Sequence, residues 1–118
     1  MSTTVSGELH GTDTKDTFEL ARQTRNYDYS VKASGGGTLR FKIEHYTGDQ
    51  LGVGADYVKG KWITIEDRSK IESGHTCKGS FTLPGTLNMA DGMGSLKLIF
   101  SRGLGTKGVD YEFFMEPA

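Results

Sequence analysis

The chain has 118 residues, with 14 Lys and Arg against 15 Asp and Glu and a net charge of -1. So even a balance argues against nucleic acid as a partner, a single cysteine excludes an intrachain disulfide, and no apolar run approaches the ~18 residues of a transmembrane helix. The 17 glycines against 2 prolines show no tripeptide period, which excludes collagen and points to many tight turns within one domain, residues 1–118.

Met1-Ser2-Thr3-Thr4 has neither a basic region nor an apolar stretch, so it is not a signal peptide. The expected location is the cytoplasm as written, or export without a cleaved leader. Val5 to Leu9 is a short first strand, and Gly11 to Asp16 a polar turn. Asp16 to Ala21 alternates, with Phe18 and Leu20 apolar, before a polar connection from Arg22 to Asn26. The clearest stretch runs from Tyr27 to Tyr46. Tyr27, Tyr29, Val31 and Ala33 alternate with polar residues, three glycines follow, and Leu39, Phe41, Ile43 and His45 alternate again. Period two marks strands with one wet face, and a glycine turn between two such runs predicts an antiparallel hairpin.

Thr47 to Gly54 is a glycine-rich loop, and Ala55 to Val58 a short edge piece. Lys61 to Glu66 is a strand with Ile63 and Ile65 on one face and Trp62 and Thr64 on the other. Asp67 to Gly74 is ambiguous. Thr76 to Leu83 is a strand with Cys77, Phe81 and Leu83 inward. Pro84-Gly85 is a turn, and Leu87 to Gly94 a loop with room for a helical turn. Ser95 to Phe100 and Val109 to Met115 are the last two strands, joined by a loop from Arg102 to Gly108. About seven to nine short strands at this spacing, with no sustained helical period, predict an all-β fold: a single antiparallel β-sandwich, jelly-roll-like.

Three pieces carry a family resemblance. They are Ser6 to Asp16, then Tyr27-Asp28-Tyr29-Ser30-Val31 leading through Gly35-Gly36-Gly37 to Thr38-Leu39-Arg40-Phe41, and Gly94 to Leu98 leading to Asp110-Tyr111-Glu112-Phe113. Over about half the chain this order resembles the bacterial pre-peptidase C-terminal and collagen-binding-like domains. The resemblance implies a jelly-roll-like sandwich, appended to secreted enzymes, that binds surfaces or polymers. It also implies calcium in some members, with Asp13 and Asp16 at the matching positions and Glu8 a looser one.

Read by themselves, Asp13 and Asp16 are equally ordinary turn formers, without the acidic density of a committed calcium loop. Gly103 to Gly108 spells G-x-G-x-x-G, but a dinucleotide site needs a helix after it and the following residues alternate as a strand. His10, His45 and His75 show no ligand spacing. Cys77 is a packed, inert thiol or, as the sharp alternative, a nucleophile with no base legible beside it. The informative anomaly is parity. With the aliphatic residues inward, Trp62, Tyr46 and Phe114 face outward, and Tyr57 lies beside a glycine loop. Outward rings serve sugar platforms and protein interfaces, because a flat ring offers contact area at small entropic cost; the structural alternative is that a bulge shifts the parity or a loop covers these rings. The sequence therefore predicts a non-enzymatic, lectin-like module that recognises a carbohydrate or surface polymer through Trp62, Tyr46, Tyr57 and Phe114. The alternative is a self-associating structural or toxin-component subunit that binds copies of itself or a partner protein. Metal binding, if any, is calcium at Asp13 and Asp16.

Overall fold

Where apolar and polar residues alternate, the computed structural model has extended chain. It describes residues 2–21, 23–46, 50–51, 57–58, 61–83, 95–103 and 107–118. The strands are β1 (Thr3–Leu9), β2 (Lys15–Ala21), β3 (Asn26–Ser34), β4 (Thr38–Tyr46), β5 (Gln50–Leu51), β6 (Tyr57–Val58), β7 (Trp62–Glu72), β8 (Thr76–Thr82), β9 (Ser95–Ser101) and β10 (Val109–Pro117). Two four-stranded antiparallel sheets form, one in the order β1-β10-β3-β8 and the other β2-β9-β4-β7, with β5 and β6 as a small separate pair. This is a jelly-roll-like β-sandwich, as the alternation predicts. The ambiguous stretch after Glu66 is the continuation of β7 to Glu72. The turn at Pro84-Gly85 and the loop from Leu87 to Gly94 lie outside the described residues.

One expectation is overturned. The runs from Tyr27 and from Leu39 are both strands, but they do not pair as a hairpin. β3 pairs with β10 and β8, and β4 with β7 and β9, so the two lie in opposite sheets. The physical reason lies in what each apolar face needs. Each run presents a full row of inward side chains: Tyr27, Tyr29, Val31 and Ala33 on one, Leu39, Phe41, Ile43 and His45 on the other, all buried. Laid side by side in one sheet they would leave both rows uncovered. Arched across the sandwich, they cover each other. Gly35 and Gly36, at φ of 92° and 105°, supply the left-handed backbone that the arch requires.

Tyr29, Phe41, Phe100, Tyr111 and Phe113 meet at the centre of the core, and Leu9, Val31, Leu39, Ile43, Leu83, Leu96 and Leu98 surround them. Two tyrosines do more than pack. Tyr111 on β10 lies across its cross-strand partner Gly7 and donates its hydroxyl to Asp16 Oδ2 on β2, 2.5 Å away. Tyr29 on β3 lies across its partner Gly79 and donates to Glu66 Oε2 on β7, at 2.7 Å. A Cβ at either glycine would strike the ring, so both close approaches need glycine. Each sheet edge is thus latched to the other sheet by a phenol reaching over a glycine to a carboxylate. Arg68 adds a third group to the second latch, its Nε donating to the Tyr29 hydroxyl at 3.3 Å.

The latches carry a pH dependence. Burial is the largest cause pushing the Tyr29 hydroxyl up to about 12; the Arg68 hydrogen bond opposes it and Glu66 adds to it. Tyr111 is raised as well, first by burial and then by its bond to Asp16. A phenol whose folded value is raised contributes stability that is fully present below its unfolded value of ~10 and is lost as pH rises through the folded value. The melting midpoint is therefore expected to fall from about pH 10 toward pH 12 together with the rise of tyrosinate absorbance. Tyr29→Phe is expected to cost about 1 kcal/mol at neutral pH and to flatten part of that alkaline fall. An unchanged alkaline profile in Tyr29→Phe would remove the latch from the account.

Candidate functional site

The register places the four outward aromatics on different surfaces. Tyr46 and Trp62 are Cα partners where β4 ends and β7 begins, on the outer face of the second sheet, so the strand parity holds to the last residue of β4. Their ring centroids are 5.3 Å apart at 59°. Lys97 on β9 sets its Nζ 4.0 Å over the Trp62 ring. Both rings are half-buried, and one face of Trp62 is already taken by a cation. Beyond Ile65 the register shifts, and Glu66 comes opposite Ile43, which is how its carboxylate enters the Tyr29 latch. Tyr57 falls in β6, and its side chain lies outside the described residues.

Phe114 is on the opposite side of the molecule, on the outer face of the first sheet. It is the exposed large apolar side chain among the described residues, at 37%. Its cross-strand neighbours are Thr4 on β1 and Ser30 on β3, and Ser30 is in turn the partner of Lys78 on β8. One step along, Glu116 is opposite Asp28. A shallow depression of about 500 Å³ lies beside the ring, bounded by Asp28, Ser30, Lys78, Gly79 and Glu116. A second, of about 450 Å³, lies on its other side, against Thr4, Ser6, Lys32 and Glu112. Phe114 is thus a ridge between two polar hollows. Asp28 and Glu116 are like-charged Cα partners on adjacent strands, a pairing that is unfavourable on an exposed face and that a donor-rich ligand would relieve. Sequence parity found Phe114 but not Asp28, Ser30, Lys78 or Glu116. Asp28, Ser30 and Lys78 lie 36 to 86 positions from Phe114 in the chain, and only the pairing of β3 with both β8 and β10 brings them to it and to Glu116.

The acidic turn is engaged in other ways. The Arg102 guanidinium donates to the carbonyl oxygens of Gly11 and Asp13, the latter at 3.0 Å from Nε, so a cation already sits in this turn. The Asp16 carboxylate receives the Tyr111 hydroxyl. Among the described residues, those brought within metal-ligand reach of one another are Glu8, His10 and Asp110, whose donor atoms lie within 4.8 Å. His10 Nε2 is 2.5 Å from Asp110 Oδ1, an exposed pair. His45 is buried on the inner face of β4, and His75 is exposed in the turn after β7, so the three histidines sit apart. Cys77 is half-buried against the core beside Val31. Gly108 leads straight into β10, a strand, so the glycine-rich stretch lacks the helix a dinucleotide site needs.

No family model matches the chain, and no curated protein matches it. Among solved structures, it is similar to a mitogen derived from Yersinia pseudotuberculosis, with a TM-score of 0.52 and 10% identity over 100% of this chain and 86% of that one. It is also similar to a protein of infectious bursal disease virus, Gt strain (TM-score 0.47, 14% identity, 98% of this chain and 30% of that one). A third is a structure described under the words "CBM4 structure and function" (TM-score 0.41, 17% identity, 96% and 78%). At these identities the likeness is one of fold: the chain is an antiparallel β-sandwich of the jelly-roll kind.

Proposed function

We propose that this protein is a non-enzymatic binding module that recognises a carbohydrate polymer on the outer face of its first sheet. The observation that carries the reading is Phe114, a ring 37% exposed between two polar hollows. A sugar ring has an apolar C–H face and a rim of hydroxyls. An exposed aromatic meets the first, and Asp28, Ser30, Lys78 and Glu116 are placed for the second. Carboxylates outnumber cations here, since Glu112, Glu116 and Asp28 share this face with Lys32 and Lys78. That favours neutral glycans over anionic ones. Tyr46 and Trp62 are read as packing where β4 ends and β7 begins, because Lys97 occupies one face of the indole and Tyr46 lies against it. The resemblance to pre-peptidase C-terminal domains points the same way, toward attachment to a polymer.

Affinity electrophoresis in gels containing soluble neutral polysaccharides tests this. The wild-type protein is expected to be retarded by at least one of them. Phe114→Ala is expected to weaken the retardation at least tenfold in dissociation constant, about 1.4 kcal/mol, while its melting midpoint stays put because the ring is exposed. Trp62→Ala should leave the retardation unchanged. Loss of binding in Trp62→Ala with full binding in Phe114→Ala would move the site to the opposite face. No retardation by any polysaccharide would overturn the reading.

A further inference from the structure

The free edge of β2 carries a charge pattern that matches itself. β2 is the last strand of its sheet, bonded to β9 on one side and to no described residue on the other. Which of its backbone groups face that open side follows from the register. Thr14 is level with Arg102, and the Arg102 N–H donates to the Thr14 carbonyl at 3.0 Å. Antiparallel pairs alternate between bonded and non-bonded. Asp16, Phe18 and Leu20 therefore turn their backbone groups toward β9. Lys15, Thr17, Glu19 and Ala21 turn theirs to the open edge.

The same four residues point their side chains to the outer face and are exposed. Across that face a row of charged residues runs in register: Glu44 on β4, Lys97 on β9 and Glu19 on β2 are successive Cα partners, with the Lys97 ammonium itself leaning over Trp62 rather than pairing with either carboxylate. The row alternates minus, plus, minus, and stops at the edge. Lys15 stands four residues before Glu19 on the same strand and the same face. A second copy related by a two-fold axis through Thr17 would set its own Lys15 beside Glu19, and its Glu19 beside Lys15. The row then continues with the right sign in both directions, and the outward N–H and C=O groups of Thr17, Lys15 and Glu19 find reciprocal partners. β1, the neighbouring edge, holds only Glu8 as a charge and offers no such register.

We propose that the chain forms a homodimer by antiparallel pairing of its two β2 strands, centred on Thr17, joining the two β2-β9-β4-β7 sheets into one. The occupant of this edge is a second copy of the same chain, because the Lys15 and Glu19 pattern is complementary to itself. The two-fold is perpendicular to the joined sheet, so both copies turn the Phe114 face to the same side. The dimer is independent of the glycan reading, and a polymer bound at Phe114 would meet two sites at once.

Sedimentation equilibrium over a hundredfold concentration range reads the result. The wild-type mass is expected to rise toward twice 12.9 kDa. Lys15→Glu and Glu19→Lys place like charges opposite each other in the homodimer, and each should weaken self-association at least tenfold. An equimolar mixture of the two variants should recover it, since every cross-pair between them is then of opposite sign. Thr17→Pro removes an edge N–H that β9 does not use, and should leave a folded monomer. Circular dichroism melts confirm that each variant is folded. A wild-type mass of 12.9 kDa at every concentration overturns the proposal, as does a mixture no more associated than its components. Retardation of monomeric Thr17→Pro by polysaccharide would leave the Phe114 site standing whatever the dimer result.

Discussion

Phe100→Ala is expected to cost about 3–5 kcal/mol, out of a total of about 5–15 kcal/mol for a domain of this kind. Phe100 is fully buried on β9. Its ring stacks on Tyr111 of the opposite sheet, at 4.1 Å and 8°. It also meets Phe41 at 5.2 Å, Phe113 at 5.8 Å and Phe18 at 6.0 Å. Among the described residues no other ring in the core touches as many others, and these come from both sheets. Truncation leaves a void between two sheets that are held apart at ~10 Å by their remaining side chains, so the site cannot collapse to fill it. The midpoint of thermal unfolding should drop by roughly 10–20 °C. Phe114→Ala, on the exposed face, should move it by less than about 0.5 kcal/mol equivalent. Urea titrations of both variants check this, with the slope expected to stay constant. A loss below ~1 kcal/mol in Phe100→Ala would mean that the hub is not where the sheets are joined.

The strands were legible because period two is a local property. β3, β4, β8, β9 and β10 each show it within a few residues of their bounds. Strand partners were not legible, because alternation states that a face needs cover and says nothing about what covers it. The glycine turn from Gly35 to Gly37 serves a hairpin or an arch equally well, and the choice falls to burial summed over both strands. The same limit governs the site. Parity turned Trp62, Tyr46 and Phe114 outward, as they are. It could not show that Lys97 lies over the Trp62 ring, or that Trp62 and Phe114 occupy opposite faces, since both facts depend on which strands are neighbours. Asp16 drew notice as a carboxylate in an acidic turn. Its bond to Tyr111, 95 positions away, is invisible until β1 and β10 are paired.

Gly37→Ala is expected to destabilise by about 3 kcal/mol, near the upper end for added volume in a packed site. Gly36→Ala should cost less, although Gly36 has the more unusual backbone. The two act through different physics. Gly36 sits at φ 105°, a conformation that disfavours any L side chain, but the space around it is open: a Cβ there would meet only the end of the Lys107 chain, at 3.7 Å. The backbone strain, about 1–2 kcal/mol, is the whole effect. Gly37 has no such φ, and its obstacle is main chain. A Cβ would collide with the carbonyl oxygens of Lys107 and Gly108. Those cannot swing aside, because the Gly37 N–H is bonded to the Gly108 carbonyl at 3.0 Å and the Gly37 carbonyl receives the Ser73 hydroxyl at 2.6 Å. The arch from β3 to β4 is thereby wedged between the connection into β10 and the turn after β7. Three of the crossings from one sheet to the other meet at that point, so pushing one backbone outward disturbs all of them. Paired melts of the two variants decide the order. If Gly36→Ala proves the more costly, the φ requirement governs the arch, and the close main-chain packing around Gly37 is slack enough to yield.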